Sequence, residues 1–213
     1  MDKPQIQKAL EELKKNPKRN FSQSYEVIFN LKNLVIKQTP IDFFVTLHFS
    51  KGKKAKIAAF VDNQLADQAA KFCDLTIRET DFPKYVADKK LTKKLAEDYD
   101  YFLAQSNLMP KVAAAFGKIL GTKGKMPNPK IGCVVPPNAA LEPLIKKLNM
   151  SVHLVAKKGL NLQCLIGKES QPEEEVIDNI LTLYQTAVKQ LPSEAQNVKN
   201  VMLKTTMSKP VRI

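Results

Sequence analysis

The chain has 213 residues, more than a typical single domain holds, and this length suits about two domains. With 44% hydrophobic and 26% charged residues it has enough apolar side chain for two modest cores, which excludes a disordered chain. The 34 Lys and Arg residues outnumber the 21 Asp and Glu residues, and the net charge of +13 favours a polyanionic partner such as a nucleic acid.

Further classes of protein are excluded by what the sequence lacks. No apolar run approaches the ~18 residues of a membrane span, and no basic amphipathic helix carries Trp or Phe on an apolar face, so we expect no membrane partner. The first residues, Met1–Pro4, have no hydrophobic signal core. Cys73, Cys133 and Cys164 are odd in number and far apart, which indicates neither a disulfide framework nor a metal site and suits a reducing cytoplasm.

The first fifty residues predict a helix followed by two strands. An amphipathic helix is predicted over Gln5–Lys15, and a cationic, proline-containing cluster ends it. Apolar and polar residues alternate over Ser24–Leu31 and again over Ile41–Phe49, which predicts two strands. The connection between them, Lys32–Pro40, is predicted to be a loop.

Strand and helix patterns alternate after a polar hinge at Ser50–Lys54. The predicted strands are Ala55–Val61, Leu75–Arg78, Tyr101–Ala104 and Ser151–Val155, and the predicted helices are Gln64–Phe72, Leu91–Glu97, Lys111–Leu120 and Leu141–Leu148. Alternation of this kind, at intervals of about 10–20 residues, predicts βαβ units around a small parallel sheet. A second hinge is predicted at Ser151–Gly159, with a turn at Lys157–Gly159.

The last fifty residues predict a strand, a helix and a final strand. A strand is predicted over Asn161–Ile166, and a helix is predicted to start at Gln171–Glu175, with Pro172 in its first turn and acids at the positive end of its dipole. Val201 and Leu203 mark the last strand, and Lys209-Pro210 is expected to stop further pairing.

A strand so close to the end of the sequence must pair with an earlier segment, because its backbone polar groups would otherwise stay unsatisfied. We expect its partners at Gln23–Leu31 and Ile41–Phe49, so that the two ends of the chain meet in one domain. The predicted domains are therefore a discontinuous α+β domain, residues 1–50 plus 152–213, and an inserted α/β domain, residues 51–151.

Glycines beside lysines in the stretch Gly121–Lys130 raise the question of a phosphate-binding loop. A P-loop requires Gly, four residues and then Gly-Lys-Ser/Thr, but Gly124-Lys125 is followed by Met126, and the position five before Gly124 is Ile119. No G-x-G-x-x-G pattern follows Ala55–Val61 either. No acid–base or metal-ligand cluster emerges, so the sequence predicts no enzyme, no cofactor and no metal.

The stretch Gly121–Lys130 is then either a plain connector or a cationic loop that contacts a nucleic-acid backbone. In the second case Lys123, Lys125 and Lys130 would supply secondary RNA contacts to phosphates. A nucleotide-dependent enzyme built on the inserted domain is the alternative from another class of protein, and a membrane-surface adaptor is a third.

Four stretches together carry a resemblance to a known family. They are Leu120–Pro129, Arg19–Glu26, Gly167-Lys168 before an acidic helix start, and Lys204–Met207 with Lys209-Pro210. In order and spacing they resemble the large-subunit ribosomal protein family numbered one, the protein of the mobile stalk beside the tRNA exit site. The resemblance spans nearly the whole chain, and the lack of long extensions is similar to the archaeal members.

The resemblance implies a fold, a function and a set of contacts. The fold would be a discontinuous α+β domain with an inserted Rossmann-like α/β domain. The chain would bind the stalk region of large-subunit ribosomal RNA in the cytoplasmic ribosome, help deacylated tRNA leave the exit site, and repress translation of its own mRNA. It would be a monomer off the ribosome. By position, the implied RNA-binding residues are Phe21, Ser24, Glu26, Gly167, Lys168, Asn200, Thr205, Thr206, Met207 and Ser208.

These residue types suit RNA in different ways. The Thr206 hydroxyl can donate to and accept from ribose 2′-OH groups, and Met207 gives an adaptable apolar contact. Phe21 either stacks on a base or packs in the core. Glu26 accepts from a base or a 2′-OH, orients a neighbouring cation, or is simply solvated. The family usually has Gly where this chain has Ser208, which puts a close backbone contact at that position in doubt.

Overall fold

A computed structural model describes residues 1–17, 19–36, 39–156 and 159–213. Two compact units are present: Met1–Lys53 with Met150–Ile213, and Lys54–Asn149. The first unit contains antiparallel sheets and the second a parallel sheet, which confirms the predicted combination of α+β and Rossmann-like α/β architecture. The predicted turn residues Lys157 and Lys158 lie outside the described residues.

The helices and strands follow one another closely. In chain order they are α1 (Lys3–Lys14), β1 (Ser24–Leu31), β2 (Ile41–Thr46), β3 (Ile57–Val61), α2 (Asn63–Phe72), β4 (Leu75–Arg78), α3 (Phe82–Ala87), α4 (Lys89–Asp98), β5 (Tyr101–Gln105), α5 (Met109–Lys123), β6 (Val134–Val135), α6 (Leu141–Met150), β7 (Ser151–Ala156), β8 (Asn161–Lys168), α7 (Glu173–Gln190), β9 (Val198–Thr205) and β10 (Val211–Arg212). Among the described residues, none of these helices has both the length and the apolar character that crossing a bilayer requires.

The first unit is built on an antiparallel sheet with the strand order β10-β9-β1-β8. Burial alternates strictly along β1, so that Tyr25, Val27 and Phe29 face the core while Glu26 and Ile28 are only half-buried. Helices α1 and α7 contribute buried apolar residues to the same core, which also takes up β2 and β7, a separate antiparallel pair. One face of the four-stranded sheet is thus sealed by the core, and the other carries its polar residues.

The end of the chain differs from the prediction in two respects. Strand β9 pairs with β1, as expected, but Ile41–Thr46 pairs with β7 instead. Lys209-Pro210 does not stop pairing, because β10 follows it and returns along the other edge of β9. Pro210 has no backbone N–H, but it lies in the connection between β9 and β10, so the pairing of these strands loses no hydrogen bond. Beyond β10, the N–H of Ile213 donates to the carbonyl of Val201 (3.0 Å).

The two helices of the first unit have identifiable starts. The Gln5 side chain accepts a hydrogen bond from the N–H of Asp2 (3.1 Å) at the start of α1, where Pro4 occupies the first turn. Helix α7 begins at Glu173 with three acids in its first turn, and Pro172 is the residue that precedes it. The prediction that Pro172 lies inside the helix was therefore wrong by one position.

The second unit is a parallel sheet with the strand order β4-β3-β5-β6. Strand β3 is buried along its whole length, as expected for a central parallel strand. Phe60 packs against Phe82, Phe102 and Phe116 with ring centroids 4.7–5.8 Å apart. Helix α3 and strand β6 were not predicted, since they are too short to show a period of their own.

Helix α5 runs three residues further than predicted. Gly121 stays helical, so the predicted loop does not begin there. The helix ends at Lys123, and a φ of +69° places the next residue, Gly124, in the left-handed conformation that glycine adopts without steric cost. The N–H of Lys125 then donates to the carbonyl of Leu120 (2.9 Å) and closes the last turn.

Candidate nucleic-acid interface

The register of the four-stranded sheet brings distant segments together at one end. Ser24, the first residue of β1, lies opposite Lys168, the last residue of β8. On the other side of β1, Tyr25 lies opposite Thr205, the last residue of β9. We call the exposed polar end so formed the sheet-end surface. Its residues are Ser24, Lys168, Thr206, Met207 and Ser208. The side chain of Thr205, which was also predicted to bind RNA, is buried.

A tight turn presents the residues after β9. The N–H of Ser208 donates to the carbonyl of Thr205 (3.2 Å), and the N–H of Thr205 donates to the Ser208 hydroxyl (2.8 Å). Ser208 does not have a positive φ. The serine that replaces the family's usual glycine is therefore unstrained, and its hydroxyl closes the turn. Its side chain is half-buried, so it still limits a close backbone approach.

Thr206 and Met207 are the exposed tip of this turn. The Thr206 hydroxyl oxygen accepts a hydrogen bond from the N–H of Ser24 (3.1 Å), which leaves its proton free to be donated outward. The Met207 side chain is 60% exposed, while its N–H donates to the Gln23 side-chain oxygen (3.1 Å). An anchored backbone thus carries an exposed hydroxyl beside an exposed thioether.

Gln23 is a residue of the site that the sequence did not single out. It is 4% exposed, and its side-chain amide donates to Oε1 of Glu169 (3.1 Å) while its backbone N–H donates to Oε2 (3.2 Å). Through its Oε1 it also fixes Met207. The sequence offered only its position one residue before β1 as a signal for a role in the site. Its hydrogen-bond partners, Glu169 and Met207, lie 146 and 184 residues further along the chain.

Glu26 and Lys204 lie opposite each other on β1 and β9, and their charged groups are 3.7 Å apart. This geometry favours the hypothesis that Glu26 orients a neighbouring cation. The Lys204 ammonium also donates to the carbonyl of Thr206 (3.3 Å), so Lys204 links the open face of the sheet to the exposed turn.

Gly167 and Lys168 form a closely packed corner. A Cβ on Gly167 would lie 3.0 Å from Oε1 of Gln171 and 3.1 Å from a methyl group of Val176. The same Gln171 oxygen accepts from the N–H of Lys168 (2.8 Å), and the Gln171 amide donates to the carbonyl of Ser50 (2.8 Å). The corner thus holds the backbone of Lys168 in place while leaving its side chain half-exposed.

Phe21 and Asn200, two further predicted RNA-binding residues, have different surroundings. Phe21 is 51% exposed, so it does not pack in the core. Asn200 accepts a hydrogen bond from the Asn30 amide (2.6 Å) in the middle of the ladder. It is five residues from Thr205 along β9, or roughly 17 Å. Asn200 shares the open face of the sheet with Lys204, but the structure does not bring it to the sheet end.

The three lysines predicted as secondary contacts have different surroundings in the second unit. Lys123 forms an ion pair with Glu97 (3.2 Å). The Lys125 ammonium donates to the carbonyls of Ala96 and Tyr99 (2.8 and 2.6 Å), where it caps the end of α4. Lys130 is exposed. Lys130 is therefore the best placed of the three to meet a phosphate.

A cleft beside the sheet-end surface contains a buried tyrosine. Burial raises the pKa of the Tyr25 hydroxyl, and the Glu169 carboxylate raises it further. Tyr25 consequently stays neutral at physiological pH and can donate a hydrogen bond. In the described ranges, no three His, Cys, Asp or Glu residues lie close enough together to hold a metal ion.

Comparison with known sequences gives matches over nearly the whole chain. The family model for the "Ribosomal protein L1p/L10e family" matches residues 13–209. The large ribosomal subunit protein uL1 of Nanoarchaeum equitans is 37% identical over 213 residues, covering 98% of this chain and 97% of its own length. The uL1 proteins of Methanothermococcus thermolithotrophicus and Methanocaldococcus jannaschii are 34% and 32% identical, each covering 100% of this chain and 99% and 96% of their own lengths.

Proposed function

Since the chain belongs to the ribosomal protein L1p/L10e family, we propose that it binds the stalk region of large-subunit ribosomal RNA through the sheet-end surface. The chain is an archaeal-type structural protein of the large ribosomal subunit, and its family is not one of enzymes. The nucleotide-dependent enzyme considered from the sequence is therefore set aside.

One observation supports the choice of surface above the others. Thr206 and Met207 are exposed although their backbone is held by Ser24 and Gln23. Internal contacts that order an exposed polar turn reduce the entropy lost on binding, which is the arrangement expected of a preorganised recognition site. The same turn offers a hydroxyl donor to the ribose 2′-OH, the group that distinguishes RNA from DNA.

The charge around the turn supports RNA as the ligand. Lys168 and Lys204 flank the exposed residues, and the whole chain carries a net charge of +13. Lysine side chains bind the phosphates of any RNA, and this part of the affinity depends on salt. The neutral groups of the turn would add the part that is specific to one RNA. Glu26 would act through Lys204, its partner across the strands.

Two finer functions follow from the resemblance and are part of the proposal. The stalk protein would help deacylated tRNA leave the exit site. It would also repress its own translation by binding a structure in its own mRNA that resembles the ribosomal RNA site. The second function is tested by cell-free translation of its own mRNA. Added protein should lower the amount of product translated from the parent mRNA. It should not lower the product of an mRNA in which that structure is disrupted.

The main proposal is tested with RNA fragments that tile the large-subunit ribosomal RNA. The full chain is titrated with each fragment at increasing KCl concentration, with tRNA as a competitor. We expect one fragment to keep its affinity at salt concentrations where the others have lost theirs, because only nonspecific phosphate binding is dominated by counterion release. Equal loss of affinity for all fragments would contradict a specific site.

A further inference from the structure

A cleft of about 710 Å³ opens between the end of α1 and the start of β1. Its volume lies within the roughly 300–1,000 Å³ of small-molecule sites. The walls include Arg19, Phe21, Gln23, Tyr25 and Glu169. Because Gln23 also holds Met207, the cleft borders the sheet-end surface directly.

The cleft carries a carboxylate that is held in a fixed orientation. Gln23 donates two hydrogen bonds to Glu169, one to each carboxylate oxygen (3.1 and 3.2 Å). The backbone N–H of Glu169 in turn donates to the carbonyl of Gln23 (3.0 Å). A carboxylate has about four lone-pair sites, so two remain available after these bonds. Glu169 is exposed, and a ligand in the cleft can reach them.

The cleft also carries a hydroxyl without a protein partner. Tyr25 is 5% exposed and lines the cleft, and within the described part of the chain no group hydrogen-bonds its hydroxyl. The hydroxyl oxygen is not among the fully enclosed side-chain atoms that lack a partner, so solvent or a ligand in the cleft can reach it. A ligand there can accept a hydrogen bond from it. The exposed ring of Phe21 and the guanidinium of Arg19 offer planar groups on which a base can stack.

From these groups we propose that the cleft takes one unstacked guanine base, recognised by the Glu169 carboxylate. The guanine edge presents two adjacent donors, N1–H and the N2 amino group, which match two carboxylate oxygens. Adenine and cytosine each present one amino donor beside an acceptor, which a carboxylate repels. The inference rests on the proposed function, since the base would belong to the RNA bound at the sheet-end surface.

Mononucleotides test the cleft independently of any RNA fold. The full chain, labelled with ¹⁵N, is titrated with 5′-GMP, 5′-IMP, 5′-AMP and ribose 5-phosphate. IMP keeps N1–H and lacks only the N2 amino group. We expect GMP to shift the amide resonances of Gln23, Tyr25 and Glu169, and to bind about tenfold more tightly than IMP, the value of one charge-assisted hydrogen bond. AMP should bind more weakly still.

The matched variants are Glu169→Gln and Glu11→Gln. The first replaces an acceptor in the cleft by an amide donor, and the second removes the same charge from an exposed position of α1 outside the cleft. Glu169→Gln should abolish the GMP preference over IMP, and Glu11→Gln should keep it. Equal affinity for GMP and ribose 5-phosphate in the parent chain would show a simple anion site and overturn the proposal, whether or not the variant folds.

The outcome separates the two proposals. If the parent chain binds one ribosomal RNA fragment specifically but shows no GMP preference, the cleft proposal fails and the proposed function stands. If GMP binds as expected but all ribosomal RNA fragments bind with equal affinity, the proposed function fails instead.

Discussion

At the scale of single residues, one hydroxyl of Thr206 serves both the fold and the binding surface. Its oxygen accepts from the N–H of Ser24, and its proton is free for a ribose or a base. Thr206→Val removes both functions with little change of shape. We expect ribosomal RNA affinity to fall by about five- to 150-fold, because a buried, unpaired polar group in the complex costs about 1–3 kcal/mol.

The control variants for this prediction are Thr206→Ser, which keeps the hydroxyl, and Lys168→Gln, which removes a cation. Thr206→Ser should bind nearly as the parent does. The Thr206→Val defect should persist at high salt because a neutral hydrogen bond releases no counterions, whereas the Lys168→Gln defect should shrink. Parental affinity of Thr206→Val at every salt concentration would mean that the turn is only structural.

The cysteines give a second prediction at this scale. Burial raises the pKa of Cys164 to about 12, with a smaller contribution from Glu26, and raises that of Cys133 to about 11. A raised pKa means that less of the thiol is ionised at pH 8 than in a free cysteine, and the thiolate is the reactive form. Ellman's reagent at pH 8 should therefore label both residues much more slowly in the native chain than in urea. Labelling of Cys164 at the free-thiol rate would contradict its burial.

At the scale of elements, Asn179 fastens helix α7 to two segments of the first unit. Its side chain is fully buried; it accepts from the N–H of Phe49 (3.0 Å) and donates to the carbonyls of Phe49 and Ile166 (3.3 and 3.1 Å). Asn179→Ala should lower the free energy of unfolding by about 2–3 kcal/mol, since it leaves buried polar groups unpaired. Gln185→Ala, an exposed change on the same helix, should stay within about 0.5 kcal/mol in the same urea titration.

Lys125 has a structural role where the sequence predicted an RNA contact. Its ammonium caps the end of α4 through the carbonyls of Ala96 and Tyr99. Lys125→Met should lower the thermal stability of the second unit, by about 1 kcal/mol in unfolding free energy, and leave RNA affinity nearly unchanged. Lys130→Met should leave the stability nearly unchanged and lower RNA affinity. It should also reduce the salt dependence of RNA binding by about the amount that one phosphate contact contributes. Loss of RNA affinity in Lys125→Met without loss of stability would instead support the RNA contact predicted for Lys125.

The elements that the sequence predicted well are those with a clear period. Alternation identified β1, and a continuous apolar run identified β3. A two-residue strand such as β10 has no period, and its pairing depends on where the chain turns after β9. The same limit applies to the site. Thr206 and Met207 could be proposed from a local motif, but Gln23 and Glu169 meet across 146 residues, and no local pattern encodes that contact.

At the scale of the whole molecule, we propose that the two compact units are independent domains. The strands of the first unit that flank the insert approach each other, since the Lys51 ammonium donates to the carbonyl of Ser151 (3.1 Å). Within the second unit, the N–H of Ala55 donates to the side-chain oxygen of Asn149 (2.9 Å), so its own ends also meet. Excision at this junction should leave both parts foldable.

The corresponding experiment joins residues 1–53 to residues 150–213 through a short Gly/Ser linker. We expect this shortened chain to unfold cooperatively and to bind the preferred ribosomal RNA fragment with nearly the affinity of the full chain. Residues 54–149 alone should fold and bind RNA weakly, with strong salt dependence. A folded shortened chain without specific affinity would place the primary RNA site in the second unit.

The central position of β9 has a consequence for synthesis of the protein. The second unit is continuous in sequence, so we expect it to fold once residue 149 has been made, at a synthesis rate of about 5–20 residues per second. The sheet-end surface cannot form then, because β1 still lacks both neighbours, β8 from Asn161 and β9 from Val198. Prematurely terminated chains thus lack the binding turn altogether. On the proposed function, we therefore expect only chains that extend past Ser208 to compete for the ribosomal RNA.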